Sequence, residues 1–389
     1  MEPSSSPFAQ VTRVGLFFDG TGNNAANAPC ADTPPANRSG SHATAPTNIF
    51  KLSQLYSGPG VKALYIPGIG TQAGQPDSLL DSALGRGRSG VLARAEQGLN
   101  AIRQLTGKPV IVDLFGFSRG AAAARHCANL LLQVPGVSVG FIGLFDTVAA
   151  VAGPVNLQLH LDPARFANVV HLVARDEHRA HFPLAQVCAG HVEIEVPGAH
   201  ADVGGGYFAL EREQLLVGRM QALTVAAGTA VEATSIYREA QRLRAGWLSR
   251  GWPADCLKVL APAPTPVLDR QQPAQQRVYA GVQLEREVRG ELSQVYLRVM
   301  REWAVARGVP LAPVASALPA ELEPLCQGFL RGYFSLSRVE EEWLRLQYIH
   351  LSAHWTAPAI VQGNQPRSGA TALYINAPAA NGRRVRRRY

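Results

Sequence analysis

The chain has 389 residues, of which 47% are hydrophobic and 17% are charged. A disordered chain has fewer apolar and more charged residues, so this composition predicts a folded protein with a large core. The formal net charge is +8, but five arginines lie in the last seven residues, and without them the excess is about +3. Such a run is typical of a solvated tail, and because no nucleic-acid-binding motif accompanies it, we expect no nucleic-acid partner.

The two ends of the chain and its cysteines exclude several classes of protein. The N-terminus has no basic segment followed by an apolar stretch, and no apolar run approaches the ~18 residues that span a bilayer. We therefore expect a protein made in the cytoplasm without a signal peptide. The cysteines are far apart and form no C-x-x-C pair, so the sequence predicts neither a disulfide framework nor a zinc site, and no cofactor. They are Cys30, Cys127, Cys188, Cys256 and Cys326.

Apolar runs of strand length alternate with helical patterns in the first half of the chain. A helix is predicted at 91–105, where apolar residues recur at helical spacing, and another follows residue 118 as far as Leu132. Several of the strand-like runs end in a polar loop that contains glycine, which is typical of a mostly parallel sheet with helices on both faces. The predicted strands are 11–18, 61–66, 109–115, 137–145, 169–173 and 191–196.

The pattern becomes mostly helical beyond Tyr207. The main helical segments are predicted at 222–240, 284–306 and 318–346. We therefore expect an α/β core over residues 1–210, a mostly helical cap or insertion over 211–346, and a closing segment with the basic tail over 347–389. This division places all the strong strand ends, and with them the candidate functional residues, in the first part of the chain.

The segment Gly116-Phe-Ser-Arg-Gly120 matches G-x-S-x-G between a hydrophobic strand and an alanine-rich helix. That context is typical of a nucleophile elbow, a strand-to-helix turn so tight that its flanking residues must be small and its serine projects outward. A serine needs a histidine base and an orienting carboxylate to become a nucleophile. Ser118 is therefore the candidate nucleophile.

Two pairs of residues could complete a catalytic trio in the chain order serine, acid, histidine. Asp146 follows the next predicted strand and His200 follows a later one, so both fall at the edge of the sheet where Ser118 lies. The alternative pair is Asp202 with His350, with His354 as a variant base. We favour Asp146 and His200, and the alternative stays open at this point.

Backbone amides near the elbow are candidates for binding an oxyanion. The amide of Arg119 lies at the N-terminus of the predicted helix, and Gly20 and Thr21 follow the first strand. Asp19 and Asp202 could contribute to a cation site, but two acidic loops do not make a set of ligands. The sequence therefore predicts no metal site.

Five motifs in order resemble the type VI secretion lipase effectors of the G-x-S-x-G class over about residues 11–210. They are Phe17-Phe-Asp-Gly-Thr-Gly-Asn23, Gly116-Phe-Ser-Arg-Gly-Ala121, Phe145-Asp-Thr-Val148, Ala174-Arg-Asp-Glu-His-Arg179 and Pro197-Gly-Ala-His-Ala-Asp-Val-Gly-Gly-Gly206. The resemblance implies an α/β-hydrolase fold and phospholipase A activity against the membranes of rival bacteria. It matches the family's serine to Ser118, and its acid and base to Asp146 and His200.

We expect a serine esterase that hydrolyses acyl esters of glycerophospholipids. The resemblance further implies delivery by type VI secretion to the periplasm of target cells, with secretion components and an immunity protein as partners. Two other functions fit the sequence. One is a carboxylesterase without a toxic role, and the other is a hydrolase-like binding module.

Overall fold

The computed structural model describes residues 13–28, 44–71, 90–105, 109–150, 156–267, 273–332, 335–355 and 375–389. Cys30 and most of the polar loop after the first strand lie outside these residues. The described strands are β1 (Arg13–Phe18), β2 (Val61–Ile66), β3 (Val110–Phe117), β4 (Val137–Phe145), β5 (Val169–Ala174), β6 (Leu184–Gln186), β7 (Val192–Val196), β8 (Leu210–Leu216), β9 (Gln221–Ala226), β10 (Leu257–Leu260), β11 (Thr265–Val267), β12 (Gln275–Arg289) and β13 (Arg386–Arg388). The described α-helices are α1 (Asn48–Leu55), α2 (Val91–Arg103), α3 (Arg119–Leu131), α4 (His200–Gly204), α5 (Ser235–Leu248), α6 (Leu292–Val305), α7 (Glu323–Leu330) and α8 (Arg338–Gln347), and 3-10 turns lie at Val231–Ala233 and Ala320–Leu322.

The centre of the fold is a six-stranded parallel sheet in the order β2-β1-β3-β4-β5-β7. The central strands are continuous apolar runs, and all six residues of β5 are buried, as expected for strands covered on both faces. The predicted mostly parallel sheet with flanking helices is therefore confirmed. Because every strand of this sheet runs the same way, their carboxyl ends meet at one edge.

The two faces of the sheet pack against different helices. Along β1, Val14, Leu16 and Phe18 join one apolar cluster with residues of α2 and α3, whereas Phe17 joins the other with residues of α1, α6 and α7. This alternation is the two-residue period of a strand. Since α6 and α7 come from residues 292–330, the core also draws on the chain well beyond residue 210. The division at 210 and 346 stays a prediction.

The segment from 210 to 289 is built differently from the helical cap that the sequence predicts. The long strand β12 pairs antiparallel with β8, β9, β10 and β11, and α5 packs on this second sheet. The helices predicted from 222 and from 284 are therefore wrong at their starts, which are strands. Val282, Leu284, Arg286 and Val288 are buried at two-residue spacing, but the Glu and Arg residues of this stretch have high helix propensity and hide the strand period.

The C-terminal basic segment is docked on the protein. β13 pairs in parallel with β6, and the side chain of Arg384 is buried with only 5% of the residue exposed. The expectation of a solvated tail is therefore wrong for Arg384, while Arg386, Arg387 and Arg388 are exposed. The sequence of an arginine run does not show which arginine will pair with a buried carboxylate, because this depends on residues that are distant in the sequence.

Candidate active site

Ser118 lies between the end of β3 and the start of α3, at the carboxyl edge of the parallel sheet. Its φ of 58° and ψ of −128° fold the chain sharply from strand into helix. A Cβ on Gly116 would lie 2.5 Å from Ala121 Cα, and one on Gly120 would lie 2.2 Å from the carbonyl oxygen of Asp19. Only glycine fits these two positions, and the tight turn brings the N-terminus of α3 against the loop that follows β1.

Backbone strain in this structure is concentrated at two candidate residues. In the part of the chain that the structure describes, the non-glycine residues with positive φ are Ser118 at 58° and Asp146 at 39°. Such conformations are unfavourable for residues with a side chain and cluster at functional sites, where the surrounding structure holds them in place. The Ser118 amide donates to the Phe145 carbonyl over 3.1 Å, so the two strained residues are held side by side.

Asp146 and His200 form a buried hydrogen-bonded pair. His200 Nδ1 lies 2.6 Å from Asp146 Oδ2, and His200 is 6% exposed. Because an ionised carboxylate only accepts, Nδ1 carries the proton and Nε2 keeps its lone pair. Burial lowers the pKa of His200, and this effect outweighs the opposing attraction of Asp146. A neutral imidazole with a free Nε2 is the form that accepts a proton.

Arg384 binds both oxygens of Asp146. Its Nη1 donates to Oδ2 over 2.7 Å and its Nη2 to Oδ1 over 2.5 Å, while the Ala174 amide donates to Oδ1 over 2.9 Å. Burial opposes ionisation of Asp146, but the Arg384 charge and the His200 hydrogen bond hold its pKa well below the usual range. Sequence reasoning missed this residue, since an arginine within a basic tail carries no signal of its own.

The His200 ring lies between two phenylalanine rings. The Phe117 ring centroid is 4.5 Å from that of His200, and the Phe182 ring meets it edge-on at 4.9 Å. Since Phe117 precedes Ser118, this packing brings His200 next to the elbow. Ser118 Oγ and His200 are not hydrogen-bonded to each other in this structure, as is common in serine hydrolases without substrate.

A second ion pair lies at the start of α4, where the His200 amide donates to Glu177 Oε2 over 3.4 Å. Glu177 is buried and pairs with Arg179 over 2.8 Å, and its other oxygen accepts from the Ser352 hydroxyl over 3.1 Å. Burial opposes ionisation of Glu177, but Arg179 holds its pKa at about 2. Both residues belong to the fourth family motif, yet no role for them was predicted. Their place in this motif was the sequence feature that could have identified them. Their contacts with distant residues become visible only in the folded structure.

The alternative pair, Asp202 and His350, is also formed but is separate from the first. His350 Nδ1 lies 2.7 Å from Asp202 Oδ1, and the Tyr207 ring stacks on the His350 ring at 3.6 Å. His350 Nε2 is buried without a hydrogen-bond partner among the described residues. Burial would lower the pKa of His350, but the Asp202 charge raises it overall. No hydrogen bond or ring contact of the described residues joins this pair to Ser118.

Asp19 organises the loop opposite the elbow. It accepts from the Tyr65 hydroxyl over 2.6 Å, the Thr47 hydroxyl over 2.8 Å and the Gly20 amide over 2.7 Å. Burial raises its pKa to about 6 despite these donors. The Gly20 amide is thus already bound, and the amides of Arg119 and Thr21 stay as oxyanion candidates. Thr21 Oγ1 is buried and has no partner among the described residues.

The two carboxylates that could have held a cation have other partners. Asp19 is bound by hydroxyl groups and an amide, and Asp202 by the His350 ring and the Ala199 amide. Within the described ranges, no three His, Cys, Asp or Glu side chains form a group that could hold a metal ion. The chemistry available at this edge is therefore that of a strained serine, a buried Asp–His pair and backbone amides.

Comparison with known proteins gives a family match and similar solved structures. The family model described as "T6SS, Phospholipase effector Tle1-like, catalytic domain" matches residues 13–137 and 132–226. A solved structure of the Tle1 effector bound to the VgrG spike of the type VI secretion system is similar with a TM-score of 0.75 and 25% identity, over 99% of this chain and 95% of that chain. No curated protein matches the chain.

Two further solved structures are more distant. An uncharacterised protein from Pseudomonas aeruginosa is 20% identical with a TM-score of 0.46, over 85% of this chain and 52% of that chain. A putative hydrolase of the α/β superfamily from Xanthomonas campestris pv. campestris is 17% identical with a TM-score of 0.28, over 49% of this chain and 88% of that chain. Neither is similar enough to support an argument about function.

Proposed function

Because the chain belongs to the family of Tle1-like catalytic domains of type VI secretion phospholipase effectors, we propose that it is a serine hydrolase of the phospholipase A type. Membership makes it a lipase effector of the α/β-hydrolase kind. The observation that carries the finer proposal is the strained Ser118 beside the buried Asp146–His200 pair. Phospholipase A activity means hydrolysis of an acyl ester of a glycerophospholipid.

In the proposed reaction, Ser118 Oγ attacks the ester carbonyl while His200 Nε2 accepts its proton. The tetrahedral intermediate collapses, the protonated His200 returns the proton to the leaving lysophospholipid oxygen, and an acyl-enzyme remains. Water then attacks the acyl group and gives a proton to Nε2. When the second tetrahedral intermediate collapses, Nε2 returns this proton to Ser118 Oγ and the fatty acid leaves. Asp146 stabilises the imidazolium ion in both halves of the reaction.

The oxyanion of each tetrahedral intermediate needs hydrogen-bond donors that are already in place. The Arg119 amide at the N-terminus of α3 supplies one. The loop after β1 supplies the second from Thr21, because the Gly20 amide is bound to Asp19. The close approach of Gly120 to the Asp19 carbonyl supports this assignment, since it holds the loop against the elbow.

The biological setting is proposed from the family. The structural match is to a Tle1 effector bound to a VgrG spike, and we propose that this chain is likewise delivered by the type VI secretion system and acts on membranes of rival bacteria from the periplasm. An immunity protein in the producing cell is the corresponding partner. No helix in the described part of the chain is long and apolar enough to cross a bilayer.

Substitution of the nucleophile tests the chemistry. Ser118→Ala should abolish release of fatty acid from defined phospholipids and labelling by a fluorophosphonate, because no other group can form the acyl-enzyme. The matched control is Ser138→Ala, which changes an exposed serine on β4 and should keep wild-type rates. Retained hydrolysis by pure Ser118→Ala protein would refute the serine mechanism, and a wild-type protein that never labels would indicate a binding module.

Two further measurements separate the finer alternatives. Identification of the fatty acid released from phospholipids with different acyl chains at the two positions would assign the bond that is cut. Expression of wild-type protein and Ser118→Ala in the periplasm of a test bacterium should lower viability only for the wild type. Equal viability with full esterase activity would instead support a carboxylesterase without a toxic role.

A further inference from the structure

Arg384 lies 238 residues from Asp146 in the sequence and binds it through two nearly parallel hydrogen bonds. We propose that Arg384 is a positioning residue that acts through the catalytic acid, so that the C-terminal segment 375–389 completes the active site. This inference rests on the proposed function, because it assigns Arg384 a role in the work of Asp146. Arg384 contacts no reacting atom and is not itself a catalytic residue.

The hydrogen bonds around Asp146 show what Arg384 adds. Oδ1 accepts from Ala174 and Arg384, and Oδ2 accepts from His200 and Arg384. Each oxygen therefore has two donors, and the flat guanidinium group fixes the rotation of the carboxylate about its own axis. Without Arg384, each oxygen would keep one donor in this set, and the carboxylate could turn away from the Nδ1–H of His200. An ammonium group could not bind both oxygens in this planar manner.

The segment that carries Arg384 is held on both sides by backbone pairing. The Leu184 amide donates to the Val385 carbonyl over 2.8 Å, and β13 continues along β6. The Ala185 amide in turn donates to the Thr147 carbonyl over 2.9 Å, next to Asp146. Upstream, the Ala379 amide donates to the His178 carbonyl over 2.8 Å. These bonds fix the position of Arg384 relative to the loop that carries the acid.

Arg384 also affects the electrostatic environment of His200, because it binds the carboxylate of Asp146. The charged groups that act on His200 are Asp146 after β4 and Glu177 and Arg179 after β5, while Arg384 from the C-terminal segment interacts with Asp146, Glu177 and Glu195. Arg384 balances the Asp146 carboxylate, which on its own would favour a protonated imidazole. Loss of the Arg384 charge therefore makes His200 easier to protonate. The fraction of neutral base at a given acidic pH then falls.

The test compares Arg384→Gln and Arg384→Lys with Arg387→Gln, which changes an exposed arginine of the same segment. The readouts are kcat and kcat/KM for a soluble ester as a function of pH, and the melting temperature. We expect Arg384→Gln to lower kcat by about 10- to 100-fold, as a misplaced catalytic group does. The acidic limb of its pH profile should move up by about one unit. Arg387→Gln should match the wild type in both.

Arg384→Lys separates geometry from charge. It keeps the positive charge, so its acidic limb should stay near that of the wild type, while kcat falls because both oxygens are no longer bound together. Addition of guanidinium ion to Arg384→Ala should restore part of the activity in a saturable way. An unshifted acidic limb in folded Arg384→Gln, or no rescue of Arg384→Ala by guanidinium, would overturn the inference.

Failure of this inference is distinguishable from failure of the proposed function. If wild-type protein does not react with a fluorophosphonate, the serine mechanism fails whatever Arg384 does. If the wild type reacts and Arg384→Gln reacts at the same rate at every pH, the mechanism stands and the role of Arg384 is refuted. If Arg384→Gln does not fold, the rate and pH profile of Arg384→Lys decide the question, and an unchanged kcat in that variant would contradict the proposal.

Discussion

Among the described residues, Asp146–His200 and Asp202–His350 are both buried pairs of a carboxylate and a histidine, and the residues that bind each carboxylate distinguish the two. Asp146 is bound by an arginine and an amide and pairs with a histidine whose pKa is lowered by burial. Asp202 is bound by the amides of Ala199 and His350 and pairs with a histidine whose pKa is raised. A general base must be neutral to accept a proton, which favours His200.

The two histidines should respond differently to substitution. His200→Gln should lower kcat/KM by roughly 10⁴-fold or more, because the proton acceptor is lost. His350→Gln should keep activity within about tenfold, since its ring binds Asp202 and not Ser118. Its effect should fall on stability, where breaking a buried ion pair costs about 3–5 kcal/mol. The measurement is the steady-state rate normalised to the fraction folded. Full activity in His200→Gln would reverse the assignment.

Thr21 offers a further prediction at this scale. Its buried hydroxyl lies in the loop that supplies the amide donor, and if this hydroxyl also binds the oxyanion, Thr21→Val should lower kcat with little change in KM, because the donor acts mainly in the transition state. The expected loss for one donor is up to about 10²-fold when the hydroxyl is the group that donates. Thr21→Ser is the control that keeps the hydroxyl. Equal rates for the Val and Ser variants would assign the role to the amide alone.

Among the elements, the elbow depends on backbone packing more than on any side chain. The first turn of α3 touches the end of β1 at Gly120, and β3 touches the same helix at Gly116. These contacts determine the distance between the serine and the loop that carries Thr21. A methyl group at either position would force the two backbones apart, because neither neighbour is a flexible side chain that could move.

Gly120→Ala should therefore be destabilising and inactivating together. We expect a loss of about 1–3 kcal/mol in the free energy of unfolding, as for other overpacked sites, and a lower kcat because the oxyanion loop shifts. The control is Gly246→Ala in α5, where a Cβ would meet no heavy atom within 4 Å. That change should stabilise the protein by about 0.5–1 kcal/mol. Chemical denaturation of both variants measures the difference, and a Gly120→Ala variant as stable as the wild type would contradict this account.

The strands were predicted correctly where the apolar pattern fits only one type of secondary structure. The runs that became β1, β3 and β4 are apolar on both faces and stop at glycine-containing turns, so their identity and approximate bounds follow from sequence. β12 was missed because its buried Val282, Leu284 and Val288 alternate with residues that favour helices. Pairing with four other strands decides its conformation, and a single sequence does not display that pairing.

At the scale of the whole molecule, the net charge is +8, and some of the arginines that contribute to it are buried while others are exposed. Arg125 is fully buried, where it donates to the carbonyls of Leu159 and Ala185, and burial lowers its pKa to about 10. Arg384 is bound to Asp146. The exposed arginines left for contact with an anionic membrane at the C-terminus are Arg383, Arg386, Arg387 and Arg388, of which Arg386 also pairs with Glu195.

These four arginines are the targets for a test of membrane binding. Deletion of the C-terminus would also remove Arg384, so the combined change to Gln at 383, 386, 387 and 388 removes the surface charge and leaves Arg384 in place. We expect weaker binding to anionic vesicles at low salt, by about 1 kcal/mol for each charge removed, and little change at high salt. Hydrolysis of a soluble ester should stay near the wild-type rate. Unchanged vesicle binding at low salt would exclude this role.

The sequence by itself determined the elements that local rules control. A hydrophobic strand followed by G-x-S-x-G and an alanine-rich helix can adopt few conformations. The parallel sheet, the elbow and the polar ends of the strands could therefore be predicted from the sequence. The order of the residues along the chain and their positions after predicted strands also identified Asp146 and His200 as candidates, with Asp202 and His350 as the alternative.

Only the tertiary structure determined which charged residues come into contact. Arg384 reaches Asp146 across 238 residues, Glu177 reaches Ser352 across 175, and neither contact follows from any local pattern. The physical reason is that a buried carboxylate takes the donors that the packed fold brings within about 3 Å of it. The arginine run that was expected to be a solvated tail thus contains the residue that binds Asp146, the proposed catalytic acid.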